Sequence, residues 1–150
     1  MSRIYVLSNS IVGFTGPKTV AEISAAASKV LKIQRIKISQ STSEADDSTR
    51  LTWGTYTATG TGTTVTANVK PVDKGDSAYS GVAKDDHSVD ITTGEAIIGR
   101  EGISLLAGFE KIFLPGARPV VTGSEFFAIN LLIGISSVTL DYEITFEEIG

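Results

Sequence analysis

The chain contains no cysteine, and only one histidine, one tryptophan and one methionine among its 150 residues. Without thiols there is no disulfide framework, no thiolate nucleophile and no cysteine-based zinc site. A single imidazole, His87, excludes a metal centre built from several. Cationic side chains are the minority, 13 against 17 acidic ones, for a formal charge of −4. That balance argues against nucleic acid held by a general electrostatic field, although local contacts stay open. No apolar run approaches the ~20 residues that span a bilayer as a helix. The opening stretch, MSRIYVLSNSIVGFTG, has one arginine and no uninterrupted hydrophobic segment, so a soluble, unprocessed protein without a membrane partner is expected. One domain is also expected, because a chain of this length buries ~70% of its unfolded surface without staples.

What is present is β-pattern. From Val138 to Phe146, the apolar residues Val138, Leu140, Tyr142, Ile144 and Phe146 alternate with Thr139, Asp141, Glu143 and Thr145. Side chains of a strand point alternately to its two faces, so this period of two gives one apolar and one wet face. The preceding run, Glu125 to Ile135, is apolar on both faces, and Ser136-Ser137 can connect it to the last strand as an antiparallel hairpin. The core is expected to include Phe127, Ile129, Leu131, Leu140, Tyr142, Ile144 and Phe146.

Residues 1–17 read as an N-terminal arm, since Gly13, Gly16 and Pro17 separate a short strand-like run, Ile4 to Leu7, from the first strand of the body. The arm carries Ile4, Tyr5, Val6, Leu7, Ile11, Val12 and Phe14, too apolar for a free tail, so it should dock. It can add an edge strand to its own or a neighbouring subunit's sheet, or contact a partner by strand addition or groove binding. Lys18 to Ile23 fits a helix capping box, Thr19 to Glu22, but the β-branched residues after it favour a strand. In Lys29 to Gln40, Leu31 and Ile33 have one parity and Ile36 and Ile38 the other, which calls for a bulge near Gln34-Arg35 or for cover on both faces. Ser41 to Ser48 is a polar loop, Arg50 to Tyr56 a strand, Thr57 to Gly62 a turn and Thr63 to Val69 a strand. Asp73 to Gly94 is a long irregular section. Glu95 to Leu106 contains short apolar pieces. Phe109 to Leu114 and Arg118 to Thr122 then flank a Pro115-Gly116 turn. About eight to ten short strands separated by Gly, Ser, Asp and Pro turns define an all-β, single-domain antiparallel jelly-roll β-sandwich over residues 18–150.

Candidate chemistry is sparse. Asp85, Asp86, His87 and Asp90 have cation-binding side chains but lack the glycine and terminal glutamate of a calcium loop, and solvated loop chemistry is the better reading. Glu143, Glu147 and Glu148 read as the wet face of a strand rather than as paired acid/base carboxylates. Trp53 and Tyr56 have rings that stack on sugars, but a single tryptophan in an alternating strand is more often core or interface. Gly60-Thr61-Gly62 lacks the lysine of a phosphate loop, and no serine sits in a G-x-S-x-G elbow. No catalytic residue, metal or cofactor is expected.

Four segments resemble a family of tailed-phage virion proteins: Val30 to Ser39, Thr63 to Asp76, the FLPGARPVVTGSEFFAI block from Phe113 to Ile129, and Ile144 to Glu148. The family is that of jelly-roll capsid decoration (cementing) proteins, and the similarity spans roughly Lys18 to Glu148. The resemblance implies a trimer on the outer surface of the capsid, made in the host cytoplasm, that bridges neighbouring subunits of the major capsid protein. It supplies no catalytic residues. The two-sided apolar run Phe126 to Ile133 offers surface for burial around a trimer axis. On the family reading the apolar arm residues contact capsid or a neighbouring subunit. The rival reading is a phage tail or baseplate jelly roll that binds host glycan or receptor through exposed aromatics.

Overall fold

The computed structural model describes residues 1–41 and 48–150. Among the described residues there are twelve strands: β1 (Ser2–Phe14), β2 (Lys18–Ser24), β3 (Val30–Gln40), β4 (Ser48–Tyr56), β5 (Thr63–Thr64), β6 (Val69–Pro71), β7 (Val82–Asp85), β8 (Ala96–Ser104), β9 (Phe109–Ile112), β10 (Val120–Val121), β11 (Phe126–Leu131) and β12 (Val138–Ile149). They form two sheets. Sheet A runs β10-β3-β12-β1-β6, with β9 also pairing β3, and sheet B runs β5-β7-β2-β11-β4-β8. All of these pairings are antiparallel.

The chain order explains the layering. Strands β1 to β4 alternate between the sheets, and the two C-terminal strands run back between them, β12 between β1 and β3, β11 between β2 and β4. This is jelly-roll connectivity, in which partners far apart in sequence become neighbours. Residues 57–95 are inserted between β4 and β8 and extend both sheets at their far edges through β5, β6 and β7.

Three local expectations hold. Val138, Leu140, Tyr142, Ile144 and Phe146 all face the core, as the period of two requires. Lys18–Ser24 is a strand, not a helix. In β3 the register against β12 skips Gln34, since Thr145 pairs with Arg35 and Phe146 with Ile33. That bulge lets Leu31, Ile33, Ile36 and Ile38 all reach the core.

Four expectations are corrected. Residues 1–17 are not an arm: β1 lies between β12 and β6, pairing with β12 from Ser2↔Ile149 to Phe14↔Val138. Tyr5, Leu7, Ile11 and Phe14 alternate into the core, whereas Ile4, Val6 and Val12 face outward. Gly13 and Pro17 therefore mark the β1–β2 corner of the sandwich, with Gly13 at φ +70°. β11 and β12 are not a hairpin, because residues 132–137 carry the chain from sheet B to sheet A. Thr63 to Val69 is broken by a single turn at Thr66–Asn68, and Glu95 to Leu106, expected as short apolar pieces, contains one nine-residue edge strand, β8 (Ala96–Ser104). The polar loop expected at Ser41 to Ser48 falls almost wholly on residues 42–47, outside the described residues.

The two sheets enclose one main core. Phe146 packs against Tyr5 at 5.8 Å and Tyr79 at 5.1 Å between ring centroids. Aromatic pairs at these separations add to the burial energy of each ring.

Candidate functional site

Strands β2, β11 and β4 place Glu22, Ala128 and Gly54 side by side on the outer face of sheet B, through the pairs Ala128↔Glu22 and Ala128↔Gly54. This face is roofed by two segments of the insertion, residues 57–62 and 86–95. The roof is stitched by Thr57 N–H to the Thr93 carbonyl at 3.1 Å and by Ser88 N–H to the Thr61 carbonyl at 3.1 Å. Beneath it lies a polar layer. Thr19 Oγ1 donates to Asn130 Oδ1 at 2.6 Å and accepts from Ile91 N–H at 2.9 Å. Asn130 Nδ2 in turn donates to Tyr56 OH at 3.0 Å and to the Ile91 carbonyl at 3.1 Å. Ala128, Tyr56 and Ile91 form a small second core there, so the other face of the Phe126–Leu131 strand is covered by the chain itself.

Glu22 is 1% exposed. Its Oε1 accepts from Thr59 Oγ1 at 2.6 Å, its Oε2 from Gly60 N–H at 3.2 Å, and Lys84 Nζ stands 3.8 Å away. Burial pushes the Glu22 carboxyl up, but His87, Thr59 and the Gly60 N–H together outweigh it and hold the group below the ordinary range. The His87 ring is fully buried, its Nε2 3.4 Å from Glu22 Oε1 but without an aligned hydrogen bond, and its Nδ1 has no hydrogen-bond partner among the described residues. Gly60 and Gly62 clasp the ring. A Cβ at 60 would lie 2.4 Å from His87 Cδ2, and one at 62 would lie 2.8 Å from Cε1. The Gly60-Thr61-Gly62 turn thus cradles an imidazole rather than a phosphate.

The sequence candidates are dispersed. Asp85 points into the sandwich, where Oδ2 accepts from Asn9 Nδ2 at 2.7 Å and Tyr142 OH at 2.8 Å. Burial and the Asp85 charge push the Tyr142 phenol far up, so it stays a donor. Asp86, at φ +47°, turns outward to Lys18 Nζ at 2.5 Å. Asp90 sits in the roof with Oδ1 unpartnered among the described residues, and burial followed by Glu95 raises its pKa to about 6. Among the described residues no three His, Asp or Glu side chains are grouped to hold a metal. Glu143 pairs with Arg35, Glu147 lies 3.6 Å from Arg118, and Glu148 turns inward to accept from Ser80 Oγ at 2.7 Å. Trp53 is buried against Phe109 and Phe113, and the Tyr56 ring is buried under the roof, so neither is an open stacking platform.

Two of the open grooves among the described residues bear on binding. On the outer face of sheet A, Ser8, Ser10, Lys37, Ser39, Asp141 and Glu143 line a polar groove of about 500 Å³. On the open side of the sandwich, edge strands β8 and β9 flank a groove of about 470 Å³ floored by Trp53, Phe109 and Phe113, with Arg100 and Lys111 on its walls. Ile98 on β8 also lines this groove, whereas Ile112, 61% exposed, alternates to the other side of β9 and lines a separate groove with Val6, Arg35, Arg118 and Thr145; Leu114, just beyond β9, is 74% exposed.

Sequence reasoning missed Glu22, Thr19 and Asn130. The available signal was the lone polar residue Asn130 in the otherwise apolar FFAINL; in KTVAEIS, Thr19 and Glu22 stand beside Lys18 and Ser24 and carry no such signal. Fold and surfaces together define an all-β jelly-roll domain with a roofed polar face and an exposed apolar edge. No family model, curated protein or solved structure matches the chain.

Proposed function

We propose that this chain is a structural virion protein that binds the outer surface of a phage head as a homotrimer and bridges neighbouring capsid subunits. The sequence resemblance supplies the capsid; the exposed apolar side chains Ile98 on edge strand β8 and Ile112 and Leu114 at the end of β9 are the observation that carries self-association. A monomer that left a long edge strand and such side chains bare would expose an aggregation template. The trimer contact is assigned to this open side, not to Phe126–Ile133, whose second face lies largely under the roof.

Sedimentation at micromolar concentration should give a trimer, and Ile112→Asp with Leu114→Asp should give folded monomers that no longer saturate undecorated heads. A wild-type monomer, or a trimer that the double variant leaves intact, would refute this contact. The polar groove on sheet A favours the second reading, a tail module for glycan, because its serines and carboxylates suit sugar hydroxyls. Electron microscopy of virions with and without the protein separates the two by placing density on head or tail.

A further inference from the structure

We propose that edge strand β8 of one copy adds to strand β9 of the next, so that sheet B of each subunit continues into sheet A of its neighbour around the trimer axis. The inference rests on the self-association proposed above and names its contact. β8 pairs only with β4 and β9 only with β3, so each leaves one backbone edge free among the described residues. Both edges border the groove floored by Trp53, Phe109 and Phe113. Bare strand edges are templates for strand addition. Gly102 on β8 has open space where a Cβ would stand, so the chain's own packing does not call for glycine there. A glycine inside a strand marks close approach by another backbone.

Charge selects the partner. Cross-strand neighbours share a face, so the pairs Leu51↔Glu101 and Ile36↔Lys111 turn Glu101 and Lys111 to the inward faces of their sheets. The pairs Thr52↔Arg100 and Lys37↔Glu110 turn Arg100 and Glu110 outward. β8 is thus negative inward and positive outward, and β9 is the reverse. Arg100, Glu101 and Lys111 are exposed and make no ion pair among the described residues, while Glu110 lies 3.6 Å from Arg35. Antiparallel pairing of β8 with β8, or of β9 with β9, sets like charges on both faces. Pairing β8 with β9 sets Glu101 beside Lys111 and Arg100 beside Glu110.

A rotation satisfies this pairing. The 105–108 turn, with Gly108 N–H to the Ser104 carbonyl at 3.0 Å, sends β9 back along β8. An axis parallel to the strands keeps every residue at its own level, so β8 meets the neighbour's β9 antiparallel. Glu101 and Lys111, which line one groove within a copy, then come to matching levels between copies. The same rotation brings inward face to inward face and outward to outward. Such a head-to-tail contact closes into a ring. The bulge at Ile98 leaves Gly99 to Ser104 regular, long enough for the four residues of β9.

The chain has no cysteine, so introduced thiols report this contact alone. Full-length Glu101→Cys and Lys111→Cys chains are co-expressed, purified and oxidised, and each is also oxidised by itself. The mixture should give a disulfide-linked dimer and neither single variant should, and because each chain carries one thiol no bridge can form within a copy. Charge reversal is the second readout, with circular dichroism as the check on folding. Glu101→Lys and Lys111→Glu should each raise the concentration of half-dissociation of the trimer roughly tenfold or more in sedimentation, and the double variant should restore it. Linkage in Glu101→Cys alone, no linkage in the mixture, or folded reversals that leave the trimer intact would each overturn the β8–β9 contact. If the wild type is still a trimer in that case, self-association stands and only its contact is wrong; a wild-type monomer overturns both. Should a reversal misfold, the thiol experiment decides.

Discussion

The two outer faces of this sandwich carry similar side chains and use them in opposite ways. On sheet A, Ser8, Lys37, Asp141 and Glu143 stand on an open face, and the Arg35–Glu143 and Arg118–Glu147 pairs are partly exposed. On sheet B, Thr19, Glu22 and Asn130 lie beneath the roof with partners at 2.6 to 3.2 Å. A polar residue on an outward parity therefore does not mean a wet residue. What separates the faces is the 57–95 insertion, which covers one of them. Charges on the open face are screened and contribute little; charges under the roof are costly to orphan.

Both faces are anchored on the core that they share. Phe146→Ala removes a fully buried ring packed on Tyr5 and Tyr79 and should cost ~3 to 5 kcal/mol in chemical denaturation. An unchanged midpoint would remove Phe146 from the core and with it the assigned facing of β12.

Matched carboxylate deletions test the difference between the faces. Glu22→Ala leaves the Gly60 N–H and the Thr59 hydroxyl without their acceptor and Lys84 and His87 without the carboxylate they face, and should cost about 2 to 4 kcal/mol. Glu143→Ala, at a partly exposed pair, should cost less than about 1 kcal/mol. Equal losses at the two positions would mean that the roof does not seal its face.

How legible this was depended on the range of the interaction. The facing of β12, the bulge at Gln34 and the strand at Lys18–Ser24 come from parity and β-branching, which act within a few residues. The fate of β1 does not. Gly13, Gly16 and Pro17 signal a break equally well for an arm leaving a domain and for a corner between sheets. Only the pairing of Ser2–Phe14 with residues more than a hundred positions away decides it. Likewise, Asp85, Asp86 and His87 are adjacent in sequence yet go to the core, the surface and the roofed face, because Asp86 adopts a positive φ and redirects the chain. No composition rule reports such a turn. The roofed layer was hidden for the same reason, since Glu22 and Thr59 meet only after the insertion folds back over sheet B.

The glycine cradle gives a smaller effect that probes the roof alone. A methyl group at position 60 would sit 2.4 Å from the His87 ring, so Gly60→Ala should force the imidazole aside at ~1 to 3 kcal/mol. Gly116→Ala, where a Cβ meets nothing within 4 Å, is the matched control and should be close to neutral. A Gly60→Ala protein as stable as wild type, with unchanged hydrogen exchange in residues 86–95, would show that the ring is not wedged.

The smallest expected effect lies at the outer half of the roof and sets the sign of its acid-side pH dependence. Burial and the Glu95 charge raise the Asp90 pKa from 3.8 to about 6, so the folded chain binds this proton more tightly than the unfolded chain does. Between about pH 4 and pH 6 the native state holds more protons at this site, and stability falls as pH rises through that window. Because Asp90 is half-buried and solvent screens part of the effect, the loss at neutral pH is on the order of 1 kcal/mol. Asp90→Asn keeps the side chain's size and removes the titration. It should be more stable than wild type at pH 7 by about that amount and indistinguishable from it near pH 4. Chemical denaturation of both proteins at the two pH values decides the matter, and a wild type that gains stability at this site from pH 4 to pH 7 would place the Asp90 carboxyl in water rather than in the roof.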